Sequence, residues 1–127
     1  MYEAPNSILT LKSNTFSKRI VKMVKYLHEH GDLHFSSLYT QVLRSGTSIA
    51  ANVGEAQFAQ TRADFITKLH IATKEANETR KWLTLLLEGE LLTKEEYDSM
   101  DKDCNEIISI LVASLKTSKR NIQQIVK

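Results

Sequence analysis

Three observations on this 127-residue sequence predict an all-α protein, an antiparallel up-down-up-down four-helix bundle. Apolar residues recur at helical spacing in four separate segments. The segments are joined by short polar stretches, which make successive helices antiparallel neighbours. Four Gly and one Pro are too few turn-formers for the many corners of an all-β sandwich. With 42% hydrophobic and 25% charged residues, the chain reads as a single domain, residues 1–127.

Helix one is expected over residues 15–30. Phe16, Ile20, Met23, Val24 and Leu27 share one face, and Lys18, Arg19, Lys22 and Lys25 lie elsewhere. Gly31 then offers a left-handed C-cap. Helix two is expected over residues 36–56, its apolar face running Phe35, Leu38, Val42, Ser45, Ile49 and Val53. Its centre, Ser45 to Ala51, is almost entirely small, which costs helix propensity but lets another helix approach closely.

Thr61 with Asp64 resembles a capping box opening helix three, residues 62–88. There Phe65, Leu69, Ala72, Ala76, Thr79, Leu83 and Leu86 alternate spacings of four and three, a heptad seam ending near Gly89. Thr93 and Glu96 make a full capping box for helix four, residues 94–125, whose Tyr97, Met100, Cys104, Ile107, Leu111, Ser114 and Ser118 continue the spacing.

The net charge of +2 is unevenly spread. Residues 1–31 carry +3, residues 107–127 carry +4, and the stretch between is acidic at −5. In the expected topology the start of helix one meets the end of helix four. Lys12, Lys18, Arg19, Lys22 and Lys25 should then gather with Lys116, Lys119, Arg120 and Lys127 into one basic patch. Acids opening helix four and bases closing it are also what the helix dipole favours.

Most site chemistry is absent. The sequence has neither a phosphate-cradling Gly-x-x-x-x-Gly-Lys-Ser/Thr nor a Gly-x-Gly-x-x-Gly fingerprint, and no His follows a Glu by three residues as di-iron bundles require. His28, His30 and His34 cluster around a turn, but Gly31 interrupts the register that would aim two imidazoles together, so no metal and no cofactor is expected. Cys104 sits on an apolar seam as a small hydrophobe, and a lone cysteine suits a reducing compartment. With no apolar run of membrane length and no signal-like N-terminus, the expected location is the cytoplasm. Arg44, Ser48, Asn52 and Glu55 descend one side of helix two, with Glu75 and Glu78 beside the seam of helix three. Such residues could serve catalysis as paired carboxylates; we expect instead a structural polar network in which Arg44 pairs with a glutamate and Asn52 bonds across to helix three.

The stretch Arg44 to Glu55, then Asp64 to Ala72, then Glu75 to Thr79 and Trp82-Leu83, resembles a bacterial family. These are the small four-helix-bundle proteins encoded by intervening sequences of large-subunit ribosomal RNA genes, labelled S23-type ribosomal proteins. Lys81 departs from the family, where an aromatic often precedes the Trp, and Ala56 stands where a glycine is common. The resemblance implies a ring-like homopentamer. It also implies kinship with accessory variability proteins of diversity-generating retroelements, which bind nucleic acid and a reverse transcriptase.

The function expected is therefore non-enzymatic: a homo-oligomeric bundle that binds RNA or DNA through backbone phosphates, using Lys12, Lys18, Arg19, Lys22, Lys25, Lys116, Lys119 and Arg120. Because no aromatic residues interleave these bases, shape and charge recognition is expected rather than base reading. The alternative is a protein-interaction scaffold, its contact carried by an exposed apolar face that includes Trp82. Tyr26, Phe58, Ile71, Leu85, Leu87, Val112 and Ile125 fall off the main seams and supply apolar surface for a partner.

Overall fold

The computed structural model describes residues 7–126, with side chains over residues 8–120. Four helices follow one another: α1 Ser7–His30, α2 Ser36–Gln57, α3 Arg62–Glu88 and α4 Lys94–Val126. A 3-10 turn, Leu33–Phe35, leads into α2, and no strand occurs among the described residues. Each helix packs on the next, α2 against α3 most intimately, and α4 returns to α1 along the loosest seam of the four. This is an antiparallel four-helix bundle.

The core is the sum of the four apolar faces. Phe16 and Ile20 of α1, Ile49 of α2, Leu69, Leu83 and Leu86 of α3, and Ile107 and Leu111 of α4 are all essentially inaccessible to solvent. Each such side chain contributes roughly 1.5–3 kcal/mol when fully buried. Ser45 and Gly46 let α2 approach both neighbours. Thr79 Oγ1 of α3 lies 2.9 Å from Ser45 Oγ, and both hydroxyls are buried.

Three local expectations are corrected. Helix α1 begins at Ser7, eight residues before the expected start at residue 15, because Leu9 and Ser13 carry the buried face back a further two turns. The hydroxyl of Ser13 disguises this in the sequence; it donates to the Thr10 carbonyl at 3.2 Å and so needs no water. Helix α4 reaches Val126, in line with an expected end at Ile125 or just beyond. Phe35 lies in the 3-10 turn and is 43% exposed, while Tyr39 fills the core and donates its hydroxyl to the Asp32 carbonyl at 2.8 Å. Gly31 does not take a left-handed conformation; it is glycine because a β-carbon would stand 2.6 Å from the Leu27 carbonyl oxygen and 2.8 Å from Tyr39 Oη.

The left-handed position belongs to Glu90, with φ 62°. Leu91 N donates to the Leu86 carbonyl at 2.8 Å and Glu90 N to the Leu87 carbonyl at 3.0 Å, the two bonds of a Schellman ending to α3. Across the loop, Thr93 N donates to Glu96 Oε1 at 2.8 Å and Glu96 N to Thr93 Oγ1 at 3.1 Å, so the capping box starts α4.

Candidate nucleic-acid interface

Ion pairs set how α1 lies along α4. Lys12 Nζ is 2.9 Å from Glu106 Oε2, and this ammonium holds the Glu106 carboxyl below its ordinary range. About two turns further along α1, the Arg19 guanidinium bonds Asp103 and reaches Ser99 Oγ at 2.8 Å. The bases of α1 therefore stand beside the acidic first half of α4. Lys116 lies ten residues past Glu106, about 15 Å further along the helix. Among the described residues the single patch expected from the sequence does not form, because α1 extends back to Ser7 and its Lys12 and Arg19 lie against Glu106 and Asp103, well short of Lys116.

What remains are two separate basic surfaces. Lys18, Lys22 and Lys25, at spacings of four and three, form an exposed stripe on α1, and none of them pairs with a described residue. Lys116, Lys119 and Arg120 are likewise exposed near the end of α4. Lys127 lies outside the described residues. Lys12 and Arg19 are already engaged with carboxylates and are weaker candidates for phosphate.

Beside the α1 stripe is a groove that sequence reasoning missed. Its floor is Met23, Leu27 and Met100, Lys22 and Tyr26 stand on its α1 wall, and Glu95 and Glu96 on its α4 wall. Its volume is about 580 Å³. Tyr26 is 60% exposed, and its ring centroid lies 4.7 Å from that of His30 in a tilted pair. The signal was there to read: Tyr26 is one turn from Lys22 on the same helix.

The polar set between α2 and α3 divides. Arg44 Nη1 is 3.2 Å from Glu75 Oε2 and Nη2 is 2.6 Å from Glu78 Oε1, so one guanidinium bridges two carboxylates across the helices. Ser48 donates to the Arg44 carbonyl at 2.7 Å, and Asn52 to the Ser48 carbonyl at 2.9 Å. Asn52 thus bonds back along its own helix instead of across, as short polar side chains do when the carbonyl four residues earlier is in reach. Glu55 leaves the set and stands 3.5 Å from Lys68 Nζ.

Other sequence candidates find plain roles. Cys104 is buried, with its thiol pushed up to about 12 by burial, and its Sγ lies 3.3 Å from the Ala76 carbonyl oxygen. His34 faces Asp32, whose carboxyl is held low chiefly by the His34 backbone amide, and the His28 ring meets Tyr39 edge-on. Among the described residues no group of His, Cys, Asp or Glu is placed to hold a metal ion. Trp82 is partly buried against the core and not on an open face, which weakens it as a contact residue. Tyr26, Phe58, Ile71, Leu85 and Val112 are exposed, Leu87 is half-buried, and the Ile125 side chain lies outside the described set. No helix among the described residues is long and apolar enough to cross a membrane.

An all-helical antiparallel bundle, bearing two exposed basic surfaces and a charged groove on its outside, is the class of protein defined here. Residues 6–113 match the model of the 23S rRNA-intervening sequence protein family, and the chain belongs to that family. It is similar to a crystallised protein of unknown function from the S23 ribosomal protein family of Bacteroides thetaiotaomicron. The two are 47% identical, the match covers 85% of this chain and 98% of that one, and the TM-score is 0.82. No curated protein matches the chain.

Proposed function

We propose that the chain is a non-enzymatic, cytoplasmic, homo-oligomeric bundle that binds RNA or DNA through backbone phosphates. The observation that carries this reading is the stripe Lys18, Lys22 and Lys25: three exposed cations on one helix face, none of them in an ion pair with a described residue. Lys116, Lys119 and Arg120 add a second contact region. Three cations are a weak electrostatic grip alone. A ring, the homopentamer implied by the family resemblance, repeats them and gains by avidity. Exposed Ile8, Leu11 and Phe58 provide apolar surface for such assembly. The family's resemblance to retroelement accessory proteins adds a reverse transcriptase as a candidate partner.

The test is fluorescence anisotropy with a structured RNA, a duplex DNA and an unstructured single strand at about 50 and 200 mM salt, a range over which several phosphate contacts lose orders of magnitude in affinity. Binding should collapse at the higher salt and disappear in a triple Lys18→Glu, Lys22→Glu, Lys25→Glu variant of unchanged helicity. Absence of binding at 50 mM salt sinks the reading. It then favours the interaction scaffold, whose apolar contact salt would barely weaken.

A further inference from the structure

We infer that the groove beside the lysine stripe is a base-stacking site, and that the nucleic acid this chain takes is single-stranded, with an unpaired base resting on Tyr26. The inference rests on the phosphate-binding reading above and extends it to the kind of strand bound.

Tyr26 combines three properties that a base platform needs. Its ring is 60% exposed, so a face is open. It has the His30 ring beside it at 4.7 Å, which widens the aromatic surface. It stands one helical turn from Lys22 and next to Lys25, so a phosphate held by either lysine brings its own nucleotide over the ring. Cations tracking the backbone beside an aromatic face are the usual chemistry of single-strand recognition, and they tolerate sequence because every base has a π-face. A bare surface tyrosine needs no explanation; one bordering a groove with an apolar floor, beside lysines that form no ion pair with a described residue, does.

The groove also orients the strand. Its α1 wall is cationic at Lys22 and its α4 wall anionic at Glu95 and Glu96. Glu96 is engaged through Oε1 with the Thr93 amide, whereas Glu95 is exposed and pairs with no described residue. Carboxylates repel phosphate and accept hydrogen bonds, so the backbone is kept on the α1 side and the base edge is turned toward α4. Adenine and cytosine, which present an exocyclic amine, satisfy that wall better than uracil. A duplex cannot enter in this way, because its bases are already stacked and paired.

The experiment uses the full chain with fluorescein-labelled 12-nucleotide oligo(A), oligo(C) and oligo(U) and a duplex of equal length, at about 50 mM salt. The wild type should prefer oligo(A) and oligo(C) to oligo(U). Tyr26→Ala should weaken oligo(A) binding by roughly 5- to 150-fold, the range found when stacked aromatics are truncated to alanine. It should leave the duplex affinity unchanged, and Tyr26→Phe should bind as the wild type. Equal binding of single strands and duplex, with Tyr26→Ala changing neither, overturns the stacking site while leaving the phosphate contacts standing. If no nucleic acid binds, both readings fall together.

Discussion

Gly46 of α2 lies so close to Ile20 of α1 that a β-carbon at position 46 would stand 2.8 Å from Ile20 Cγ1 and 3.0 Å from its Cγ2 and Cδ1. Ile20 is wholly buried and has no free direction in which to yield. Alanine has the better helix propensity by about 1 kcal/mol, yet overpacking a closed core costs typically 1–3 kcal/mol. Gly46→Ala should therefore lower stability in urea unfolding, and Ile20→Ala, which removes all three contacting atoms, should cost less in the Gly46→Ala chain than in the wild type. A stabilised Gly46→Ala would show that the helices can part at that point.

Glu90 is the converse case. A side chain in the left-handed region costs roughly 1–2 kcal/mol, which glycine avoids, while glycine gives the unfolded chain more freedom. Glu90→Gly should raise stability by about 0.5–1 kcal/mol, read as a shift of the denaturation midpoint with an unchanged slope.

Removal of Arg44 should leave two neighbouring carboxylates, Glu75 and Glu78, without their shared cation. The guanidinium is 47% exposed, so solvent screening keeps the pair interaction modest. Arg44→Ala is expected to cost about 1 kcal/mol, and Glu75→Gln in that background to restore a fraction of it. Additive single effects in the double-mutant cycle would mean that the bridge carries no coupling.

Native Cys104 should resist thiol reagents. Burial removes access, and the raised thiol pKa leaves almost no thiolate at pH 8. Labelling by a disulfide reagent should proceed only as fast as the protein unfolds, and faster in urea. Rapid stoichiometric labelling of the folded chain would place the α3–α4 seam in frequent local opening.

The Lys12–Glu106 pair has a defined pH signature. The Glu106 carboxyl is held below its ordinary 4.5, so the folded state binds fewer protons there than the unfolded chain. Its contribution is present above about pH 4.5 and is lost as pH falls through the lower, folded value. Comparison of wild type with Glu106→Gln should give a stability difference at pH 7 that vanishes toward pH 3. A constant difference at all pH values would assign the effect to packing.

The basic surface shows where sequence reading stops. That Lys18, Lys22 and Lys25 share a helix face follows from 3.6 residues per turn, and the sequence suffices for it. Whether a lysine is free depends on what stands opposite, and α4 supplies Glu106 to Lys12 and Asp103 to Arg19 from more than eighty residues away. The aromatic contribution was hidden for a related reason: Tyr26 reads as spare apolar surface until the groove formed with α4 gives its ring a setting.

Periodicity and capping are local, and the sequence alone determined what depends on them: four helices, the heptad face of α3, the capping box opening α4 and the close approach at Gly46. The tertiary structure decided the axial register of α1 on α4, the burial of Tyr39 in place of Phe35, and the return of Asn52 to its own helix. Register is set by how whole layers of side chains interlock and by ion pairs between distant segments, a free-energy balance that no short window of sequence contains.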